Sequence, residues 1–182
     1  MITNELVKEL HNIKIKNLEK LLLCYFDLEP KIQWLNKILS PKPGSENISR
    51  FKQAGLQYRF SGDPFTDASE DHTIESWLNN VKINPLFENT PFEDIINEYD
   101  FKRTRLMWIS PFSCYAIHTD YSPRFHIPLI TNKECYFVFK DEGAIHLPVG
   151  NLFWVDTTKP HTFMNCSNKP RLHLVSSDFN LK

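Results

Sequence analysis

Beyond Arg103 the chain breaks into short apolar or aromatic runs at residues 105–109, 114–118, 124–130, 135–140, 144–147, 152–156, 161–165 and 171–176, separated by Pro, Gly, Asn or Asp. Runs of this length between turn residues read as strands. So many short strands in under half of a 182-residue chain admit few folds. One flat sheet would leave long unpaired edges, so the segments are expected to form two sheets stacked face to face. The result is a mainly β, double-stranded β-helix (jelly roll) with an open mouth for a ligand.

The first hundred residues read differently. Leu6, Leu10, Ile13, Leu18, Leu21, Leu22 and Tyr25 recur at roughly helical spacing between Asn4 and Phe26, which predicts an amphipathic helix or two short ones. Pro41-Lys42-Pro43-Gly44-Ser45 reads as a loop, 55–65 as irregular structure or a short hairpin, and 71–81 and 91–99 as short helices, with Pro91 suited to a first turn. The length fits a single domain over 1–182, in which a helical and irregular part, 1–100, packs on a jelly-roll core, 101–180.

Charge excludes some roles. With 21 basic and 22 acidic residues, no global field draws the protein to nucleic acid or to an anionic membrane, which argues against a DNA-binding role. The four cysteines form no C-x-x-C pair, and a domain of this size does not need them as bridges. The charged N-terminus and the lack of an apolar stretch of membrane-spanning length add to a cytoplasmic expectation.

The chemistry is expected in the strands. A strand repeats every two residues, so in a strand from Cys114 to Asp120 the side chains of His118 and Asp120 share a face, and His161 completes a metal-ligating set. Two imidazoles and one carboxylate on one side of an ion form the facial arrangement of non-haem Fe(II) sites. Arg171, ten residues after His161, alternates with His173 and Val175 on one face while Leu172 and Leu174 take the other. An inward arginine needs an anionic partner, and its planar fork matches a carboxylate. Arg124 and His126 share a strand face and look into the same cavity, unless they form only a structural ion pair. Asn165 follows the alternation of His161 and is expected to help orient a bound carboxylate. Trp108, Tyr115, Tyr136, Phe153 and Trp154 read as core or pocket wall, and His11, His72 and His146 as solvated or satisfied side chains.

His118, the Arg124-x-His126 signature, the strand entry at 150–156, His161 and Arg171 together resemble the aspartyl/asparaginyl β-hydroxylase branch of the Fe(II)/2-oxoglutarate oxygenases, a cupin-like fold. The resemblance covers 105–178, under half of the chain. It implies Fe(II) bound by His118 and His161, 2-oxoglutarate as co-substrate with its distal carboxylate on Arg171, and Arg124 and His126 against the co-substrate or the substrate carboxylate. The substrate implied is an amino acid, or an Asp, Asn or Pro residue in a peptide or protein. Mammalian-type members lack a carboxylate two residues after the first histidine. Asp120 brings this chain closer to the free-amino-acid proline hydroxylases of the same branch.

Other readings differ in sequence. A catalytically silent jelly-roll binding protein would have lost a ligand or the arginine, and neither is lost. Cupin isomerases and metal sensors usually carry more histidines and a glutamate. A nucleic-acid-directed oxygenase resembles a pattern with a second arginine six residues on, where this chain has Ser177.

Overall fold

The computed structural model describes residues 5–12, 15–36, 50–69 and 73–179. The 41–45 loop expectation and His72 lie outside them. The strands are β1 (Val7–Asn12), β2 (Leu35–Asn36), β3 (Phe51–Gly55), β4 (Gln57–Tyr58), β5 (Lys82–Ile83), β6 (Lys102–Ile109), β7 (Ser113–Cys114), β8 (Arg124–Ile130), β9 (Cys135–Phe139), β10 (Gly143–Ile145), β11 (Asn151–Val155), β12 (His161–Asn165) and β13 (Arg171–Ser177). Three helices, α1 (Ile15–Leu28), α2 (Ile74–Leu78) and α3 (Pro91–Glu98), lie between them in the chain.

Two antiparallel sheets dominate. The larger runs β1-β11-β8-β13-β6-β3-β2 and the smaller β10-β9-β12-β7, while β4 and β5 pair separately. This is the double-stranded β-helix expected from the strand texture. Both faces of the large sheet are covered, which explains the near-continuous burial of β13. On one face Leu106, Ile127, Leu172 and Leu174 pack with Leu21 of α1 and Phe92, Ile95 and Ile96 of α3. On the other, Phe51, Ile109, Phe153 and Val155 meet Phe137, Phe139 and Phe163 of the small sheet. The alternation of each strand decides which residues join which layer.

Local sequence explains several boundaries. Thr90 caps α3 by accepting a hydrogen bond from the Phe92 N–H at 3.3 Å, Pro91 supplies the first turn, and Glu93 and Asp94 favour the positive end of the helix dipole. Pro128 lies in β8, an interior strand, where a missing N–H would break a ladder. The pairing with β13 shifts register between Leu172 and His173, opposite this proline.

Two expectations change. The helical spacing from Asn4 to Phe26 resolves into a strand followed by a helix: β1 pairs with β11 along the sheet edge, and only Ile15–Leu28 is helical. The strand expected at 114–118 ends at Cys114, and His118 makes an isolated bridge to His161. Past that bridge the facing segment turns at Pro160, which has no N–H for a ladder, and the Asp120 N–H instead donates to the Thr157 carbonyl at 2.8 Å.

No helix among the described residues is long and apolar enough to cross a membrane. All four cysteines are free thiols.

Candidate metal centre

The His118–His161 bridge sets the geometry. Each main-chain N–H donates to the other residue's carbonyl at 2.9 Å, and the imidazoles lie side by side with centroids 4.4 Å apart. The Asp120–Thr157 hydrogen bond turns the carboxylate toward them. One ligand atom from each of His118, Asp120 and His161 lies within 4.8 Å of the others. The irregular backbone therefore brings His118 and Asp120 together, as a regular strand was expected to, and sets both beside His161 of β12.

The donor chemistry fits a divalent ion. His118 Nδ1 is 2.9 Å from the Ala116 carbonyl and His161 Nδ1 is 2.9 Å from the Lys159 carbonyl. A carbonyl only accepts, so each Nδ1 carries the proton and each Nε2 keeps a lone pair, the tautomer a metal requires. Packing fixes the rings: Phe137 stacks on His161 at 5.1 Å, and Tyr115 meets His118 edge-on at 4.8 Å.

Burial opposes ionisation of Asp120, yet Arg124, Arg105, His161 and His118 together hold its carboxyl below the usual range. Arg124 forms an ion pair with it, with Nη2 2.9 Å from Asp120 Oδ1. Its Nη1 donates to Ser177 Oγ at 3.2 Å. One carboxylate oxygen is thus held by the arginine, and Oδ2 lies 3.9 Å from His161 Nε2.

Beneath the three ligands a chain of buried polar groups runs along the inner face of the large sheet. His126 stands opposite Phe153 on one neighbouring strand and Val175 on the other, and neither of its ring nitrogens has a hydrogen-bond partner. Its ring centroid is 5.7 Å from that of His173. Arg171 Nη2 is 3.0 Å from His173 Nδ1, leaving His173 Nε2 without a partner. Arg171 is buried, with Cζ 5.5 Å from the Phe163 ring centroid. Burial lowers its pKa to about 10, so it remains a cation at neutral pH, and no carboxylate among the described residues pairs with it. Each buried polar atom left without a partner costs about 1–3 kcal/mol, a cost that an anion lying along this string would relieve.

A cavity of about 240 Å³ opens above these groups, lined by the three metal-type ligands together with Arg124, His126 and Phe163 among others. Arg171 and His173 lie behind its wall. Asn165 stands apart: its Nδ2 donates to the Ser110 and Lys169 carbonyls at 3.0 and 2.8 Å, and its Oδ1 accepts from Ser167 Oγ at 2.7 Å. The amide locks a turn and does not line the cavity, contrary to the carboxylate-orienting role expected for it. Tyr115 lines the cavity, whereas Trp108 packs with the helix-side core and Trp154 donates to Asp178. His146 is satisfied by the Cys135 carbonyl.

The sequence reading did not nominate Arg103, Arg105, Trp77 or Gln53, all of which line the cavity. It also gave His173 no role, although the alternation of β13 had put that residue beside Arg171.

The buried histidines couple stability to pH. Desolvation is the main cause that lowers the pKa values of His126, His173 and His161, and the Arg171 cation adds to it for the first two. The folded protein keeps these rings neutral while the unfolded chain protonates them near the ordinary 6.5. Their stabilising contribution is therefore full above that value and declines as pH falls below it, by up to about 1.4 kcal/mol per pH unit for each histidine. The melting temperature of the metal-free protein is expected to drop steadily from pH 7 to pH 5. A flat profile would contradict neutral burial of these rings.

Fold and site together define a jelly-roll protein with a His, Asp, His cluster of the kind that can hold a metal ion. The chain belongs to the aspartyl/asparaginyl β-hydroxylase family, whose model matches residues 82–179. Membership implies Fe(II) and 2-oxoglutarate as cofactor and co-substrate. Over 121 residues the chain is 27% identical to an L-proline cis-4-hydroxylase of Rhizobium meliloti (strain 1021), a match that takes in 60% of this chain and 43% of that protein. The match thus spans under half of the relative's length.

Two solved structures share the fold. A 2OG-Fe(II) oxygenase family oxidoreductase from Burkholderia pseudomallei matches with a TM-score of 0.50 and 12% identity, over 86% of this chain and 77% of its own. The DMSP lyase DddQ from Ruegeria pomeroyi DSS-3 matches with a TM-score of 0.51 and 12% identity, over 100% of this chain and 82% of its own.

Proposed function

We propose that this chain, acting as one domain, is an Fe(II)- and 2-oxoglutarate-dependent dioxygenase that hydroxylates a C–H bond of an amino acid, or of an Asp, Asn or Pro residue in a peptide or protein. The observation that carries the proposal is the clustering of His118, Asp120 and His161, with both imidazoles in the metal-binding tautomer. When bound, Fe(II) with 2-oxoglutarate and dioxygen supplies the oxidising chemistry, in which the co-substrate leaves as succinate and carbon dioxide and the substrate gains a hydroxyl.

The protein's own work is placement. His118 and His161 would give Nε2 lone pairs and Asp120 would give Oδ2, while Arg124 holds Oδ1 and keeps the carboxylate ionised. His126, His173 and Arg171 lie where an anion entering from the cavity would find N–H donors and a buried positive charge. Phe137, Phe163 and Tyr115 form an apolar wall beside the two imidazoles. No side chain needs to act as a general acid or base.

The test is production of succinate from labelled 2-oxoglutarate by the purified protein with Fe(II), dioxygen and a panel of amino acids and short peptides. Turnover that requires the iron, the co-substrate and one panel member is expected. Complete lack of iron-dependent succinate from folded protein would sink the assignment.

Arg124 allows a separate check. Removing the group that orients a metal ligand typically costs 10–100-fold in metal affinity, and Arg124→Met is expected to fall in that range. Titration with Mn(II), read by paramagnetic relaxation of water protons, measures it. Unchanged affinity would show that Asp120 needs no such support.

A further inference from the structure

We propose that Thr157 is a positioning residue for the metal centre: with one carbonyl and one hydroxyl it latches the loop that carries Asp120 to the turn that leads into His161. The inference rests on the metal-binding part of the dioxygenase reading and goes beyond it, because nothing in the signature residues gives Thr157 a role.

The need for a latch follows from the sequence around Asp120. His118 makes only an isolated bridge to β12, and Thr119 and Tyr121 on either side of the carboxylate are exposed. Regular pairing resumes at Arg124 of β8, which stands opposite Val155 of β11. Carried two residues further, that antiparallel register sets Ser122 opposite Thr157. Pro123 lies between and has no N–H to continue a ladder.

A side chain takes over from the missing ladder. Thr157 Oγ1 donates to the Ser122 carbonyl at 2.7 Å in a buried hydrogen bond, and the Thr157 carbonyl accepts the Asp120 N–H at 2.8 Å. Residues two apart in an extended segment point their main-chain groups the same way, so one residue can hold both. The loop is thus fastened at the ligand itself and again just after it.

The turn that does the fastening is itself fixed. The Asp156 N–H donates to the Leu6 carbonyl, the Thr157 N–H to the Val155 carbonyl and the Lys140 N–H to the Pro160 carbonyl, each at 2.9 Å. Asp156 Oδ1 accepts from the Thr158 N–H at 3.2 Å. The same turn supplies the Lys159 carbonyl that lies 2.9 Å from His161 Nδ1. Two of the three ligands therefore take their direction from one short segment, His161 through Lys159 and Asp120 through Thr157.

Thr157 acts on a different part of Asp120 from Arg124. The arginine holds one carboxylate oxygen, whereas Thr157 fixes the backbone from which the carboxylate projects. Thr157 is 1% exposed and lines the cavity. Valine has its branched shape and lacks its hydroxyl, which would leave the buried Ser122 carbonyl without its donor.

The experiment titrates the whole metal-free chain with Mn(II), read by paramagnetic relaxation of water protons, so it needs no turnover. Groups that orient metal ligands cost 10–100-fold in affinity when lost, so Thr157→Val is expected to bind Mn(II) about 10- to 100-fold more weakly, while Thr157→Ser, which keeps the hydroxyl, stays within about threefold. Thr90→Val is the control for a general loss of stability. It removes a hydroxyl that donates to the Phe87 carbonyl at 2.6 Å, away from the cavity, and should keep the wild-type affinity. Amide exchange by NMR reads the latch without a metal: the Asp120 N–H is expected to exchange slowly in the wild type and at least about tenfold faster in Thr157→Val.

Unchanged Mn(II) affinity in folded Thr157→Val, an equal loss in Thr157→Ser, or an equal loss in Thr90→Val would each overturn the latch. Should Thr157→Val not fold, the wild type decides: an Asp120 N–H that exchanges as fast as an unprotected amide overturns it too. A wild type that binds no Mn(II) would instead remove the metal-centre reading, and the latch with it, whereas failure of the variants alone leaves that reading standing.

Discussion

His161→Ala is expected to abolish tight Fe(II) binding and all iron-dependent succinate formation. Loss of a supporting hydrogen bond near a metal costs 10–100-fold in affinity, so loss of a ligand from a set of three should exceed the upper end of that range. The side chain has a second duty, because it is 1% exposed and stacks on Phe137. Truncation therefore also costs packing stability, on the order of 2–4 kcal/mol for a buried ring. His161→Leu separates the two effects: it fills most of the volume and supplies no lone pair. Calorimetric titration of both variants with Fe(II) under argon, beside their thermal unfolding curves, reads affinity and fold independently. A folded variant that keeps wild-type iron affinity would remove His161 from the ligand set.

Arg171→Met is expected to divide function from stability. The guanidinium is buried, has His173 Nδ1 as its hydrogen-bonding neighbour and carries a pKa lowered by desolvation to about 10. A purely structural cation in such a place would have an acidic partner. Removing one member of a buried ion pair destabilises by stranding the other charge, but no carboxylate among the described residues pairs with Arg171, so the variant should melt no lower than the wild type. Binding of 2-oxoglutarate should fall by about 30-fold or more, because truncating one partner of a buried charge pair costs roughly 2–5 kcal/mol. Arg171→Lys should recover only part of the loss, since a point charge cannot offer two parallel N–H bonds. Unchanged co-substrate affinity with a large drop in melting temperature would assign Arg171 to structure alone.

The jelly roll was legible because its strands announce themselves locally. The runs at 124–130 and 161–165 coincide with β8 and β12, where turn residues bracket apolar alternation on both sides. The beginning of the chain was not legible in this way. Leu6 and Leu10 suit a helix as well as a strand, and the choice is made by pairing with β11, whose residues lie more than a hundred positions away. Local pattern carries no information about such an edge.

The site divides along the same line. His118, Asp120, His161, Arg124, His126 and Arg171 were nominated from spacing, and the fold gathers all six around one cavity or immediately behind it. Asn165 was nominated by alternation alone, but alternation cannot show that backbone carbonyls across a turn have already taken its amide. Arg103 and Arg105 look in sequence like the charged start of a strand. Arg105 is buried where β6 pairs with β3, and Arg103 where Trp77 folds over it, both long-range events.

The central claim is a metal centre that takes a 2-oxoacid, and anaerobic titration of the purified protein with Fe(II) and 2-oxoglutarate tests it most directly. The account predicts a weak visible charge-transfer band that needs both additions and is lost in His161→Leu. No band from a folded wild-type protein, with no iron retained, would contradict it and leave a jelly roll without a metal-centred chemistry.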